Sequence, residues 1–242
     1  MTVNRFPIAL LFLGLASNSA HAELNDRGNG LIYDSTLNIT WLADMKYALT
    51  SGYEQTSGIP YDGSNDGAIS WSAAVAWAEN LEFGGFSDWR LPTLLENDPT
   101  CDGAFDSDLT RTSQGGSSRY GCVGGELSHL FVVSLGNKAG QSVHNQAGDS
   151  ASQLANYALF RNIGQGTYWS GTQRSDGLNA AWAFSTVNGS QINNSNKASS
   201  HYPLAVRVGD VTAVPEPTIL NLFAGGLVIL LISRHSRIRS KS

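Results

Sequence analysis

The run Gly85-Phe86-Ser87-Asp88-Trp89-Arg90-Leu91-Pro92-Thr93, with Glu96 three residues on, constrains this chain more than any other stretch. Alternation places Trp89 and Leu91 on one face of an extended segment, and Pro92 stops any strand ladder. Thr93-x-x-Glu96 has the form of a capping box, so a helix is expected to start there. A guanidinium flanked by two large apolar side chains must pack its stem and have its head held by carboxylates or carbonyls. With Asp88 two positions away, Arg90 is therefore read as structural rather than catalytic. Asp88, Trp89, Arg90, Pro92 and Glu96 form the expected structural motif of a corner in the chain.

The two ends of the 242 residues read as addresses. Residues 1–22 have a short basic start, an apolar core from Phe6 to Ala16 and the small-residue site Ala20-His21-Ala22, which is the pattern of a secretory signal peptide. A membrane-spanning anchor would need roughly 20 apolar residues, about twice that run. At the other end, Pro215-Glu216-Pro217 precedes an uncharged stretch from Thr218 to Ser233, then Arg234, Arg237, Arg239 and Lys241. Cations after a short apolar stretch hold that terminus in the cytoplasm. An ordinary C-terminal anchor has these features too. Together they resemble the PEP-CTERM sorting signal of exported bacterial proteins associated with exopolysaccharide. That resemblance implies a transient inner-membrane anchor at residues 214–242 and cleavage by an exosortase-type membrane protease.

Residues 23–213 are enough for one sizeable domain and short for two. Between Glu23 and Ser233 there are ten Lys and Arg against all twenty Asp and Glu, a net charge near −10. Such a field repels nucleic acid, anionic lipid and sulfated glycan. Only 14% of residues are charged, Gly is abundant and there are six Trp, which suits a loop-rich extracellular domain rather than a disordered chain.

In order, Asn25 to Gly30 is turn chemistry, and Leu31 to Asp34 is a short strand. Leu37, Ile39 and Trp41 alternate with Asn38 and Thr40, giving a half-buried partner strand. Trp41 suits either a core or a sugar-stacking position. Residues 42–61 have no period and read as a loop. Asp62, Ser64 and Asp66, with Gly67 after them, match the first half of a calcium loop. Ala73 occupies the twelfth position, where the bidentate carboxylate belongs, and Glu79 or Glu82 could replace it only from the following helix, so a plain Asp/Asn/Gly turn accounts for the same residues. Ser70 or Ser72 can cap a helix to about Leu81 with Trp71, Ala74, Val75, Ala78 and Leu81 on one face, ended by Gly84-Gly85. Cys101 and Cys122, in an exported chain with twenty residues between them, read as one disulfide closing a Gly- and Ser-rich loop.

A second amphipathic helix is expected from Gly125 to Leu135, with Leu127, Leu130, Phe131 and Leu135 inward and His129 beside that face. Residues 137–157 read as a long polar excursion. Strands follow from Tyr168 to Thr172 and from Ala180 to Val187, with Trp182 and Phe184 on one face. Asn188-Gly189 is a hairpin signal returning through Gln191, and Leu204, Val206 and Val208 form a last strand.

Gly30-Leu31-Ile32-Tyr33-Asp34, Leu37-x-Ile39-x-Trp41-Leu42, Asp88 to Thr93, Tyr168 to Thr172, Ala181 to Phe184 and Ala205-Val206-Arg207 together resemble the Lcl C-terminal-type domain of exported bacterial proteins. That family is related to the formylglycine-generating and sulfatase-modifying fold. The resemblance implies an α+β, C-type-lectin-like single domain with a twisted antiparallel sheet, short helices and long loops. Fold alone does not license an activity. An oxidase of the related type needs a close cysteine pair late in the chain, and its iron-dependent relatives need clustered His, whereas His129, His144 and His201 are far apart. No catalytic residues are therefore proposed, and no cofactor beyond the calcium alternative. The expected role is a surface or matrix protein binding a glycan or matrix component, with a purely structural matrix protein as the alternative.

Overall fold

The computed structural model describes residues 24–53, 66–102, 118–176 and 179–211. The signal peptide, Asp62, Ser64 and the whole sorting signal from Pro215 to Lys241 lie outside the described residues. Among those described, no helix is long and apolar enough to cross a membrane.

Mixed helix and antiparallel sheet make the architecture α+β. Strands β1 (Leu24–Gly28), β2 (Leu31–Asp34) and β3 (Ile39–Leu42) form a meander, and β8 (Val206–Val208) pairs with β3 from the far end of the chain. The second sheet has the order β4 (Ser118–Tyr120), β7 (Ser190–Asn196), β6 (Ala180–Ser185) and β5 (Thr167–Gln173). The segment before β8 joins the sheets: the Trp169 amide donates to the Tyr202 carbonyl at 2.9 Å, and the Leu42 amide to the Ala205 carbonyl at 3.2 Å.

Alternation along these strands divides the core in two. Trp182, Phe184, Tyr168, Leu204 and Val206 meet Trp41 and Phe131 on one side, while Ala181, Ala183, Trp169 and Ala205 meet Trp77, Trp89 and Leu91 on the other. The second sheet is thus buried on both faces. Helix α2 (Trp71–Glu79) covers the alanine side through Ala74, Trp77 and Ala78, and α3 (Glu126–Ser128) with its π-helical continuation His129–Ser134 covers the other through Leu127, Leu130 and Phe131. Alanines in β6 let a helix carrying Trp77 approach closely, and each large side chain so buried contributes about 2–3 kcal/mol. Trp41, fully buried, is a core residue and not a sugar platform.

Several expectations need correction. β3 is buried on both faces, because Thr40 donates its hydroxyl to the Gly209 carbonyl at 2.7 Å and needs no water. Strand β1 takes in Asn25 to Gly28, leaving the turn at Asn29-Gly30. A short helix α1 (Tyr47–Thr50) interrupts the loop after β3, and the excursion after Asn137 contains helix α4 (Ala151–Leu159). Helix α4 starts at a capping box in which Ser150 and Gln153 satisfy each other's backbone amides. On α2, Trp77 faces the core while Trp71 and Val75 are half-buried.

No helix follows Thr93. The chain from Leu91 to Leu95 is irregular, and the Glu96 carboxylate accepts from the Ser175 amide and hydroxyl at 3.1 and 2.8 Å instead of capping its own segment. Gly84-Gly85 do more than end a helix. Both have positive φ, 63° and 83°, and the Phe83 and Phe86 amides and carbonyls pair reciprocally at 3.0 Å around them. At Asn188-Gly189 the chain turns as expected, but the loop spans residues 186–189 between the paired Ser185 and Ser190. A Cβ on Gly189 would lie 2.7 Å from the Lys138 carbonyl oxygen.

Candidate functional site

The corner segment crosses the sheet junction as its composition requires. The Arg90 and Val206 amides and carbonyls pair reciprocally at 2.9 Å, Trp89 and Leu91 are buried on one face, and the Pro92 carbonyl accepts from the Gly171 amide at 2.8 Å. Arg90 points the other way. Its Nη1 and Nη2 donate to the two carboxylate oxygens of Glu126 at 2.7 and 2.6 Å, and Nη1 also donates to the Leu91 carbonyl at 3.1 Å. The Thr93 amide donates to the same carboxylate at 2.8 Å.

The head is therefore held by a carboxylate and a carbonyl, as its surroundings demand. Burial pushes the Glu126 carboxyl up, but the hydrogen bonds from Arg90 and Thr93 outweigh it and hold the group below the usual carboxylate range. The Glu126 bond holds the Arg90 guanidinium above its ordinary value. Asp88 does not join them. Both its oxygens accept from Arg207, at 2.8 and 3.1 Å, while that guanidinium lies 4.0 Å from the Phe86 ring centroid.

Beside this corner lies a cleft of about 320 Å³, open to solvent. Three elements build it. Helix α2 contributes Trp71, Val75 and Glu79 at i, i+4 and i+8, the corner contributes Arg90, Leu91 and Thr93, and β5 contributes Gly171 and Gln173. Trp71 is fixed in place. Its indole N–H donates to the Ser170 carbonyl at 2.8 Å, its amide donates to the Lys197 carbonyl at 2.9 Å, and the Lys197 ammonium sits 4.4 Å from its ring centroid. The same ammonium donates to Gln173 Oε1 at 2.6 Å, which leaves that amide's NH₂ to face outward partners. An oriented aromatic ring, an amide, a carboxylate, a hydroxyl and a neutralised guanidinium line one surface. Such a surface can stack on an apolar ring face and hydrogen-bond around its rim.

Other expected site residues fall elsewhere. Cys101 and Cys122 are joined by a disulfide. Their sulfurs lie close to Asp98, but each sulfur is bonded to the other, and the Asp98 carboxylate already accepts from Thr100 and from the Gly124 amide. Of Asp62, Ser64 and Asp66, only Asp66 is described. Its Oδ1 accepts from the Ala68 amide and its Oδ2 from the Tyr202 hydroxyl, each at 3.0 Å.

His129, His144 and His201 do not converge on a metal-binding group among the described residues. His144 Nδ1 meets the Tyr157 hydroxyl at 2.6 Å, and the His129 Nε2 is buried without a protein partner. The His201 ring centroid lies 4.3 Å from that of Trp169, where burial pushes its imidazole down to about 4 against a hydrogen bond to the Ser200 backbone.

Sequence reasoning did not single out Glu126 or Gln173, and it reached Glu79 only as a substitute ligand for the calcium loop. The Trp71/Val75/Glu79 spacing was a usable signal, whereas Glu126 and Gln173 carry none. Comparison of the chain with protein families, with characterised proteins and with solved structures finds no match.

Proposed function

We propose that the chain is an exported glycan- or matrix-binding module of an exopolysaccharide coat, with the cleft between α2, the corner and β5 as its binding site. The observation that carries the reading is the combination in that cleft of the fixed Trp71 ring with Glu79, Thr93 and Gln173. Sugars present an apolar ring face and a rim of hydroxyls, and this lining offers partners for both. The acidic net charge of the mature chain disfavours a polyanionic ligand.

The wider assignment belongs to the same proposal. Residues 1–22 export the chain, residues 23–213 form an Lcl C-terminal-type domain with a C-type-lectin-like arrangement, and the tail after Val214 is sorted by an exosortase-type protease. The alternative is a coat protein without a discrete ligand, in which Trp71 serves only to pack against the core beneath α2.

A glycan array probed with the mature protein, in calcium and again in chelator, tests the binding reading. Specific signal that falls at least tenfold in Trp71→Ala is expected. Absence of signal, or signal indifferent to Trp71, would refute it. Dependence on calcium would assign a metal to the loop of Asp62, Ser64 and Asp66.

A further inference from the structure

The chain contains two Asn-Gly dipeptides, Asn29-Gly30 between β1 and β2 and Asn188-Gly189 between β6 and β7. Asparagine is a labile residue, and a following glycine, having no Cβ, lets its own backbone nitrogen approach the asparagine side-chain carbon. By sequence the two sites are equivalent. Their hydrogen bonding separates them.

At Asn188-Gly189 both ends of the connecting peptide are held. The Gly140 amide donates to the Asn188 carbonyl at 2.8 Å, and the Gly189 amide donates to the Ser185 carbonyl at 2.9 Å. The side chain is held as well, with its Oδ1 accepting from the Ser190 hydroxyl at 2.8 Å. Gly189 is buried against the Lys138 carbonyl, which leaves its backbone no room to swing. At Asn29-Gly30 the connecting peptide makes no hydrogen bond through its carbonyl or its amide among the described residues, and none of them holds the Asn29 side chain. Asn29 is exposed, on the wall of an open cleft of about 450 Å³ that admits water.

From this contrast we infer that Asn29 is a site of spontaneous deamidation and isomerisation in the folded protein, while Asn188 is protected. The Gly30 nitrogen gives up its proton to hydroxide and bonds to Asn29 Cγ. The Cγ–Nδ2 bond then breaks, and ammonia leaves with a proton returned through water, closing a succinimide ring. Water adds to either ring carbonyl and opens it to aspartate or isoaspartate. The net change consumes one water, releases ammonia, exchanges a neutral amide for a carboxylate and needs no oxidant or reductant. In the isoaspartate the main chain runs through the former side-chain carbon, which lengthens the tight turn that fixes the pairing of β1 with β2.

The test incubates the mature exported protein, disulfide intact, in warm, mildly alkaline buffer and follows both sites by peptide mapping as an amide-to-acid mass change. Isoaspartate is read separately by methyl transfer from a protein isoaspartyl methyltransferase. A parallel sample in urea calibrates the two sites as unfolded chain. Each hydrogen bond that must open first slows such a reaction by up to about tenfold, so Asn29 should convert at least about tenfold faster than Asn188 in the folded protein. In urea the two rates should converge. Asn29→Gly, which accepts the positive φ of 51° at that position, should abolish the methyl uptake of the folded protein.

Equal rates at the two sites in the folded protein, or faster conversion of Asn188, overturn the inference. So does an Asn29 that keeps its amide in the folded protein over the time in which it converts in urea.

Discussion

Arg90 closes both teeth of its fork on Glu126, a residue thirty-six positions away, with side-chain exposures of 35% and 17%. That environment lies between the solvent-exposed pairs worth about 0–1 kcal/mol and the fully buried pairs whose breakage costs about 3–5 kcal/mol. Arg90→Ala should accordingly lower stability by about 2 kcal/mol in urea melts, and should loosen the Thr93 edge of the cleft before it alters ligand preference. His201 gives a pH signature. Its imidazole titrates near 4 when folded and near 6.5 when unfolded, so the unfolded chain binds the extra proton first. Stability is then complete above about pH 6.5, falls as pH drops toward 4 by about 3 kcal/mol, and levels below that for this group. The Glu126 carboxyl, held low, adds a further loss at still lower pH as its bond to Arg90 is protonated away. Melts of His201→Phe should lack the fall between 6.5 and 4. The apolar environment of Arg90 was legible from Trp89 and Leu91, but its partner was not, because nothing local to Glu126 marks it as a base for a distant guanidinium.

At the scale of elements, strong periodicity and turn chemistry were reliable guides. The β2–β3 hairpin, α2, the inward face of α3, and β6 with its return through Asn188-Gly189 all follow from apolar spacing. Helix α4 escaped because its apolar residues, among them Tyr157 and Leu159, are only partly buried against the core and give no clean inward stripe. Its only fully buried residue is Asn156, which donates to the Ser134 carbonyl at 3.1 Å, and Gln153 donates to the Val133 carbonyl at 3.1 Å, so hydrogen bonds help the partly buried Tyr157 and Leu159 to dock it. The Ser150-x-x-Gln153 box was the available signal, while Thr93-x-x-Glu96, of the same form, has its carboxylate drawn away by Ser175. A two-position pattern cannot separate those cases without the tertiary partner. The disulfide is an element-scale staple on the loop between Cys101 and Cys122. Cys101→Ser should lower stability by about 3 kcal/mol by freeing the unfolded chain, and the non-reduced protein should show no free thiols in alkylation mass spectrometry.

At the scale of the whole molecule, a sheet packed on both faces between α2 and α3 is the scaffold on which the cleft is a surface feature of three joined elements. Its residues lie in stretches 71–79, 90–93 and 171–173, so only pairing among α2, the corner and β5 brings them together, and no single stretch of sequence displayed the site. Export and sorting are proposed from the ends of the chain. Mature protein from its native host should begin near Glu23 and end near Pro215-Glu216-Pro217 by intact mass, whereas retention of residues 218–242 would make the tail a permanent anchor. The claim that the cleft binds a glycan is tested most directly by titrating isotope-labelled protein with the best sugar from the array and following its amide and indole resonances. The account predicts that the Trp71 indole and the amides of Glu79, Thr93, Gly171 and Gln173 shift together and saturate with one affinity. Shifts confined to a distant surface, such as Asn29, Ala158 and Arg161, or no shifts at all, would contradict it.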